Sequence, residues 1–202
     1  MFWLIFFIVL WGIVHSILAS TGFKDLLRGR LGNGFMKFYR LLYNIFAVIS
    51  LAPILYLMIS LPDKTLYRIS PPWNYLMWTG QAISALLLLI AVLQTDVLAF
   101  VGLRQLVEGE EKSDLVTSGL YRFIRHPLYT FSLSVLWLSP SMTVNTFIVY
   151  AAFTIYILIG AVFEERKLMR EFGEKYANYK SKTPMLIPGL RWGGTNNFPG
   201  SS

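Results

Sequence analysis

Five apolar stretches constrain the fold of this chain more than any other feature of its sequence. Of its 202 residues, 55% are hydrophobic and 14% are charged, whereas a water-soluble domain carries about 25% charged residues. A chain of this length cannot bury so much apolar surface in one interior. A helix of about 20 apolar residues crosses the hydrocarbon core of a membrane. The predicted spans are Phe2–Ala19, Leu41–Leu61, Tyr75–Leu93, Leu128–Leu138 and Val144–Phe163.

The predicted fold class is therefore an all-α, polytopic integral membrane protein with about five transmembrane helices. Residues 1–190 are predicted to form one domain, and the Gly-, Asn- and Ser-rich residues 191–202 to form a flexible tail. The first span lacks the basic stretch that opens a signal peptide, so it is predicted to stay in the membrane.

The fourth predicted span is too short to cross a membrane alone. Residues 128–138 give a helix of about 16 Å, so this segment must borrow length from its neighbours or lie among other helices. Ser139–Thr143 is a short uncharged connection to the fifth span. The two segments are therefore predicted to form a C-terminal helical hairpin.

Basic residues predict the orientation of the chain. All but two of the 18 Lys and Arg residues fall in segments that five spans place on one side, the exceptions being Lys64 and Arg68. Because cytoplasmic loops collect basic residues, the N-terminus is predicted to lie outside and the C-terminus in the cytoplasm, in a bacterial or archaeal inner membrane. The net charge of +7 is then explained by orientation and by contact with anionic membrane lipids, without a nucleic-acid partner.

Residue types that are missing exclude several chemistries. The chain has no cysteine, which excludes disulfides, thiolate metal sites and a cysteine nucleophile. Its two histidines, His15 and His126, match no metal-binding spacing, so no metal is predicted. The sequence also lacks a glycine-rich nucleotide-binding motif in a strand-to-helix setting.

The densest polar group on the predicted cytoplasmic side begins with SGLYRFIRHPLY, residues 118–129. Pro127 disfavours helix at His126 and fits the first turn of a following helix, so a helix N-terminus is predicted just after His126. Its free N–H groups and the guanidinium of Arg125 form an anion site in outline. The alternative is that Arg122 and Arg125 pair with lipid headgroups.

Glu164 and Glu165 end the fifth predicted span. If the helix continues through Tyr179, Glu164 has Lys167 three residues on and belongs to a charged, solvated helix face. Glu165 instead lies on an apolar stripe, without a cation one turn away. Burying an unpaired carboxylate is costly, so Glu165 needs a partner from elsewhere. The alternatives are a salt bridge to an arginine of segment 118–129 and a contact with a cationic or hydroxyl-rich cofactor.

Two further polar residues lie within or just after predicted spans. His15 lies deep in the first span, where a histidine is either functional or hydrogen-bonded to a neighbouring helix. Asp96 closes the third span and is either an interfacial residue or an acid that supports the site.

These motifs carry a family resemblance. GLYRFIRHPLY, an apolar hairpin and then FEERKLMREFGEKYANYK resemble the signature of the isoprenylcysteine carboxyl methyltransferase and phospholipid methyltransferase superfamily, membrane enzymes that use S-adenosylmethionine. The resemblance covers Gly119–Pro188. Shorter motifs are most like the methanethiol S-methyltransferase branch and its nitrite-reduction-associated relatives, namely HSILAS, FYRLLYN, FVGLRQL, PSMT and TPMLIPGL.

The resemblance implies S-adenosylmethionine as the cofactor, in a cytoplasmic pocket. The residues that it places there are Gly119, Tyr121, Arg125, His126, Pro127, Tyr129, Glu164 and Glu165. In this interpretation Arg125 and the helix N-terminus hold the methionine carboxylate, and Glu165 faces the ribose or the sulfonium. Tyr121 or Tyr129 then packs on the adenine.

The reaction that the resemblance implies is methylation of a small apolar thiol such as methanethiol. The thiolate is the nucleophile, and Arg125, His126 or His15 is predicted to favour it as a base or through positive charge. One alternative keeps the cofactor and takes a lipid-like acceptor, either a prenylated cysteine carboxylate or a lipid amine. Two others are a sterol-type reductase that uses NADPH and a non-catalytic membrane factor that assists assembly of a respiratory enzyme.

Overall fold

The protein is described by a computed structural model that covers residues 1–107 and 114–189. The predicted tail, 191–202, lies outside the described residues. In chain order the elements are α1 (Phe2–Ala19), α2 (Thr21–Ile49), α3 (Ala52–Ser60), β1 (Thr65–Arg68), α4 (Trp73–Leu93), α5 (Val97–Val101), α6 (Arg104–Val107), a 3₁₀ turn (Gly119–Arg122), α7 (Pro127–Trp137), β2 (Ser141–Thr143), α8 (Val144–Phe172) and α9 (Glu174–Lys182). The predicted all-α class is confirmed for this part of the chain.

Helical segments long and apolar enough to cross a membrane contain four of the five predicted spans. In the described ranges they are Phe2–Ala19, Thr21–Ser60, Trp73–Leu93 and Val144–Phe172. Many of their apolar side chains point outward, as Ile59 does with 77% of its surface exposed. Such a surface is favourable in lipid and unfavourable in water. The chain is therefore a polytopic integral membrane protein.

A small apolar core joins three of these helices. Leu4 of α1, Ile54 of α3 and Val149 of α8 are buried at its centre. Trp11 and Phe153 pack against this cluster. Few other apolar side chains are buried among the described residues, so lipid must cover much of the apolar surface of the helices.

The second span begins earlier than the sequence predicts, because α2 starts at Thr21 and not at Leu41. The hydroxyl of Ser20 caps this helix by accepting a hydrogen bond from the N–H of Phe23 at 3.3 Å. Gly32, with a φ of 75°, interrupts the helix in a conformation that suits glycine. All five basic residues that the sequence places in this connection are thus on α2, three before Gly32 and two after it.

α7 is the short fourth segment, with 11 residues. Pro127 occupies its first turn, as the sequence predicts. At its other end, the side-chain Nε2 of Gln81 on α4 donates to the carbonyl oxygen of Val135 at 2.8 Å. Carbonyl groups in the last turn of a helix lack partners in their own helix, so Gln81 satisfies one of them. Gly80 lets the two helices approach here, since a Cβ on it would lie 3.0 Å from Leu138.

Extended chain completes the path from α7 to α8. β2 pairs antiparallel with β1. The N–H of Ile69 donates to the carbonyl of Pro140 at 2.8 Å, and the N–H of Val144 donates to that of Lys64 at 2.9 Å. The predicted uncharged turn is therefore a strand, and the connection before α4 satisfies its backbone groups.

α7 and β2 together match the height of α8. Arg125, just before α7, bonds Glu165, while β2 leads into Val144. The helical rise separates Val144 and Glu165 by about 31 Å along α8. α7 supplies about 16 Å of this height, and residues 138–143, which end in β2, supply the remainder. The short segment thus gains length from its neighbour, whereas the orientation of the termini stays a prediction.

Replacing Gln81 with Met tests the bond that closes α7. The change keeps the volume of the side chain and leaves the carbonyl of Val135 unpaired in an apolar setting, so the free energy of unfolding should fall by about 1 kcal/mol. It can be measured by thermal or denaturant unfolding in detergent micelles. Leu86→Met, on a side chain of the same helix that is 57% exposed, is the matched control and should change little. Equal losses in both variants would contradict this account.

Candidate functional site

The start of α7 is held by the chain that follows α9. The N–H of Arg125 donates to the carbonyl of Pro184 at 2.9 Å, and the N–H of His126 donates to that of Met185 at 3.1 Å. His126 is the N-cap of α7 and lies outside the helical region of backbone conformation, with φ −124° and ψ 64°. The predicted helix N-terminus just after His126 is therefore confirmed, and its entry is fixed by tertiary hydrogen bonds.

Arg125 and Glu165 form a buried ion pair. Nε of Arg125 donates to Oε1 of Glu165 at 2.6 Å, Nη2 contacts the same oxygen, and the two side chains are 5% and 9% exposed. Nη1 of Arg125 donates to the carbonyls of Lys180 and Thr183. Nζ of Lys180 lies 2.8 Å from Oε2 of Glu165. All three guanidinium nitrogens are thus engaged within the protein, which realises the salt-bridge alternative for Glu165.

Glu164 belongs to a second group, together with Tyr129 and His126. The hydroxyl of Tyr129 donates to Oε2 of Glu164 at 2.6 Å, and the His126 ring stacks on Tyr129 with centroids 5.3 Å apart. His126 Nδ1 lies 3.7 Å from Glu164, and its Nε2 lies 3.5 Å from Glu165. The imidazole therefore lies between two carboxylates. The sequence predicts that Glu164 belongs to a solvated helix face. In the structure its carboxylate also accepts a hydrogen bond from Tyr129 at the site.

A cavity of about 820 Å³ adjoins these residues. Its wall includes five of the residues that the family resemblance implicates, namely Tyr121, Arg125, His126, Tyr129 and Glu164. Glu165 lies behind Arg125 and borders a separate groove on the other side of α8. Gly119, with a φ of 61°, packs against Gln94, whose Oε1 accepts from the N–H of Leu120 at 2.8 Å. Gly119 thus allows the backbone before Tyr121 to pack closely against Gln94.

α9 adds two tyrosines to the cavity wall that the sequence analysis did not assign to the site. Tyr176 is fully buried, and Tyr179 donates its hydroxyl to the carbonyl of Tyr121. Burial raises the pKa of Tyr121 to about 12, with a further contribution from the charge of Glu164. Burial likewise raises the pKa of Tyr179 to about 12. At neutral pH both phenols are therefore neutral hydrogen-bond donors.

The helix that carries Glu164 and Glu165 does not continue unbroken to Tyr179. α8 ends at Phe172, and Gly173, with a φ of 51°, separates it from α9. Glycine adopts this conformation readily, whereas other residues do so at a cost. The break redirects α9 so that Tyr176 and Lys180 face Arg125 and Glu165.

A second polar part of the cavity lining comes from α2, from the N-cap of α5 and from α6. Arg40, Asp96, Arg104 and Gln105 line it. Asp96 caps α5 by accepting from the N–H of Ala99 at 2.9 Å, and it forms an ion pair with Arg104. The signal in the sequence was the pair of motifs FYRLLYN and FVGLRQL, which contain Arg40, Arg104 and Gln105.

His15 occupies an aromatic cluster outside this cavity wall. Its Nε2 hydrogen-bonds the hydroxyl of Tyr43, and its ring stacks on Trp11 with centroids 4.6 Å apart. Tyr156 lies edge-on to it at 5.7 Å. The described lining of the cavity does not include His15, so the structure does not bring it together with His126 at that wall.

Replacing Glu165 with Leu tests the ion pair. The change leaves the guanidinium of Arg125 buried without its counter-charge, so the free energy of unfolding should fall by about 3 to 5 kcal/mol. Lys180→Met removes a second cationic partner of Glu165. The side chain of Lys180 is 43% exposed, so this change should lower the free energy of unfolding by less than about 1 kcal/mol. Unfolding in detergent micelles measures both. A loss for Lys180→Met as large as that for Glu165→Leu would contradict the assignment of Arg125 as the main partner.

Comparison with known proteins gives several partial matches. A methanethiol S-methyltransferase of Pseudomonas deceptionensis is 44% identical over 85 residues, which is 42% of this chain and 31% of the relative. One from Crocosphaera subtropica is 35% identical over 128 residues, 57% of this chain and 50% of the relative. The cobalt-zinc-cadmium resistance protein CzcN of Cupriavidus metallidurans is 34% identical over 119 residues, 56% of this chain and 54% of the relative.

The extent of these matches differs from that of the family match. The chain spans between about a third and about a half of the length of these relatives. No solved structure matches it. The family profile described as NnrU protein, in contrast, matches residues 3–194, which is nearly the whole chain. The chain therefore belongs to the NnrU protein family.

Proposed function

We propose that this protein is an integral membrane methyltransferase that uses S-adenosylmethionine and methylates a small apolar thiol such as methanethiol. The observation that carries the proposal is the cavity in which Tyr121, Arg125, His126, Tyr129 and Glu164 meet at one wall. Relatives named methanethiol S-methyltransferase that are 44% and 35% identical over their matched regions support the same reaction.

The cavity has the size and the chemistry that this cofactor requires. Its volume of about 820 Å³ lies in the range of about 300 to 1,000 Å³ that is typical of small-molecule sites. Aromatic rings that can pack against an adenine come from Tyr121, Tyr129, Phe172 and Tyr179. Carboxylates that favour a cation come from Asp96, Asp114 and Glu164. When bound, S-adenosylmethionine supplies a methyl group activated by a sulfonium charge.

The protein's own part in such a reaction is to position the reactants and to exclude water. In-line displacement has its barrier lowered mainly by orientation, which a cavity between packed helices provides. The apolar part of the lining includes Leu88, Val92, Leu128 and Leu168. These side chains suit a small apolar acceptor that arrives from the bilayer.

His126 is the residue that we assign to the proton of the thiol. The thiolate is the nucleophile, so the proton must leave before or during transfer. A proton accepted on the His126 ring lies near Oε2 of Glu164 and Oε1 of Glu165, at 3.7 Å from Nδ1 and 3.5 Å from Nε2. A carboxylate acceptor would need no such base.

The proposal includes the topology. With the N-terminus outside, α8 carries Glu164 and Glu165 to the cytoplasmic end, where S-adenosylmethionine is available. Lys64 and Arg68, next to and within β1, then lie at the outer end, which agrees with the asymmetry of basic residues.

Transfer of labelled methyl from S-adenosylmethionine by the purified protein tests the proposed function. The acceptor panel is methanethiol, a prenylated cysteine and phosphatidylethanolamine, and we expect label in dimethyl sulfide. Label in either of the other two acceptors would replace the thiol with that acceptor. Failure to label any acceptor, together with no cofactor binding by calorimetry, would refute the methyltransferase proposal.

His126→Asn tests the assigned base. Asparagine keeps a good N-cap for α7 but is a much weaker proton acceptor than imidazole. Thiol methylation at neutral pH should fall by at least about 100-fold, and binding of S-adenosylhomocysteine, the reaction product, should change little. Near wild-type turnover in this variant would remove His126 from the proton transfer.

A further inference from the structure

The cavity has a second polar wall whose residues lie outside the superfamily motif of segment 119–188. Arg40 belongs to FYRLLYN on α2, and Arg104 and Gln105 belong to FVGLRQL around α5 and α6. All three line the cavity together with Asp96. The proposed proton transfer uses none of them, although they form a polar group in the same lining as His126.

Two contacts hold this wall against α2. Gly102 has a φ of 97°, and a Cβ on it would lie 2.6 Å from the backbone nitrogen of Leu41 and 2.9 Å from the carbonyl carbon of Arg40. The backbone beside Arg40 is therefore pressed against the end of α5 at a distance that only glycine permits. Nδ2 of Asn44 also donates to the carbonyl of Val101 at 2.8 Å. These contacts hold FYRLLYN and FVGLRQL together, and Arg40, Arg104 and Gln105 line the same cavity.

The charges of this wall suit a zwitterion. Asp96 forms an ion pair with Arg104, and its charge also interacts with that of Arg40, so this wall carries charges of both signs. Nε2 of Gln105 donates to the carbonyl of Ala99 at 3.3 Å, while its Oε1 is buried without a hydrogen-bond partner. A buried acceptor without a donor is unfavourable unless a ligand supplies one.

We infer that this wall binds the α-amino-acid end of the methyl donor. Arg40 and Arg104 hold the α-carboxylate, and Asp96 together with Oε1 of Gln105 accepts from the α-ammonium. Guanidinium forks match a carboxylate in geometry and charge. Arg125 cannot serve as readily, because Glu165 and two carbonyl oxygens already engage its three nitrogens. The inference rests on the proposed function and identifies which end of the ligand this wall recognises.

A phosphate group fits this wall less well. Asp96 and the unpaired Oε1 of Gln105 would face phosphate oxygens, and like partial charges repel. An ammonium group beside a carboxylate satisfies both kinds of protein group at once. The balance of donors and acceptors therefore favours the amino-acid end over a lipid headgroup phosphate.

Calorimetric binding of two ligands to the purified protein tests the assignment. S-Adenosylhomocysteine contains the amino-acid end, and 5′-methylthioadenosine lacks it but keeps the adenosine. Arg40→Gln and Arg104→Gln should each weaken binding of S-adenosylhomocysteine by about 10- to 100-fold and leave binding of 5′-methylthioadenosine within about twofold of wild type. Arg28→Gln, on the same helix as Arg40 but outside the described cavity lining, is the matched control and should alter neither.

The outcomes separate this inference from the proposed function. If the wild-type protein binds neither ligand, both proposals are overturned. If it binds both, and the arginine variants weaken both ligands equally or weaken neither, the inference is wrong and the proposed function stands. Should a glutamine variant fail to fold, Arg40→Lys and Arg104→Lys keep the charge and lose the fork. These should show a smaller loss that is again confined to S-adenosylhomocysteine, and a loss shared by both ligands would overturn the inference.

Discussion

The buried ion pair between Arg125 and Glu165 determines how the site end of this protein is built. Each charge alone would be costly in an apolar interior by several kcal/mol, so each residue requires the other. Oε1 of Glu165 takes two of the guanidinium nitrogens, and the third binds the carbonyls of Lys180 and Thr183. One arginine thereby joins the start of α7, the end of α8 and the chain after α9. The cavity exists because these three segments are held together.

The same ion pair decides what its neighbours can do. His126 follows Arg125 directly, so fixing the arginine places the imidazole between Glu164 and Glu165. Tyr129, one turn into α7, then reaches Glu164 from the cavity side. An arginine with its donors committed in this way acts as a scaffold, and any ligand carboxylate is better served by guanidinium groups elsewhere in the lining. Arg40 and Arg104 are the other arginines in the described lining.

Local rules predicted part of this arrangement from sequence. The helix start at Pro127 follows from the restrictions of proline, and the need of Glu165 for a distant partner follows from the cost of a buried charge. The position of Lys180 could not be predicted, because it depends on the angle that Gly173 introduces between α8 and α9. Pairing of β1 with β2, and the contact of Gly102 with Arg40, join segments more than 60 residues apart. Such contacts leave no periodic signal in the sequence.

In the proposed methyl transfer, the two polar groups of the cavity lining have different roles. A donor must be fixed along its length for the methyl group to point at the acceptor, and two polar groups in one cavity lining can do so. The lining also has an apolar part, with Leu88 and Val92 from α4 and Leu128 from α7. Apolar surroundings disfavour a thiolate, so its charge needs a compensating group nearby. In the proposed reaction the N-terminus of α7, which begins next to Leu128 in the sequence, provides such a group. These features agree with the proposed acceptor, which is apolar except at one sulfur.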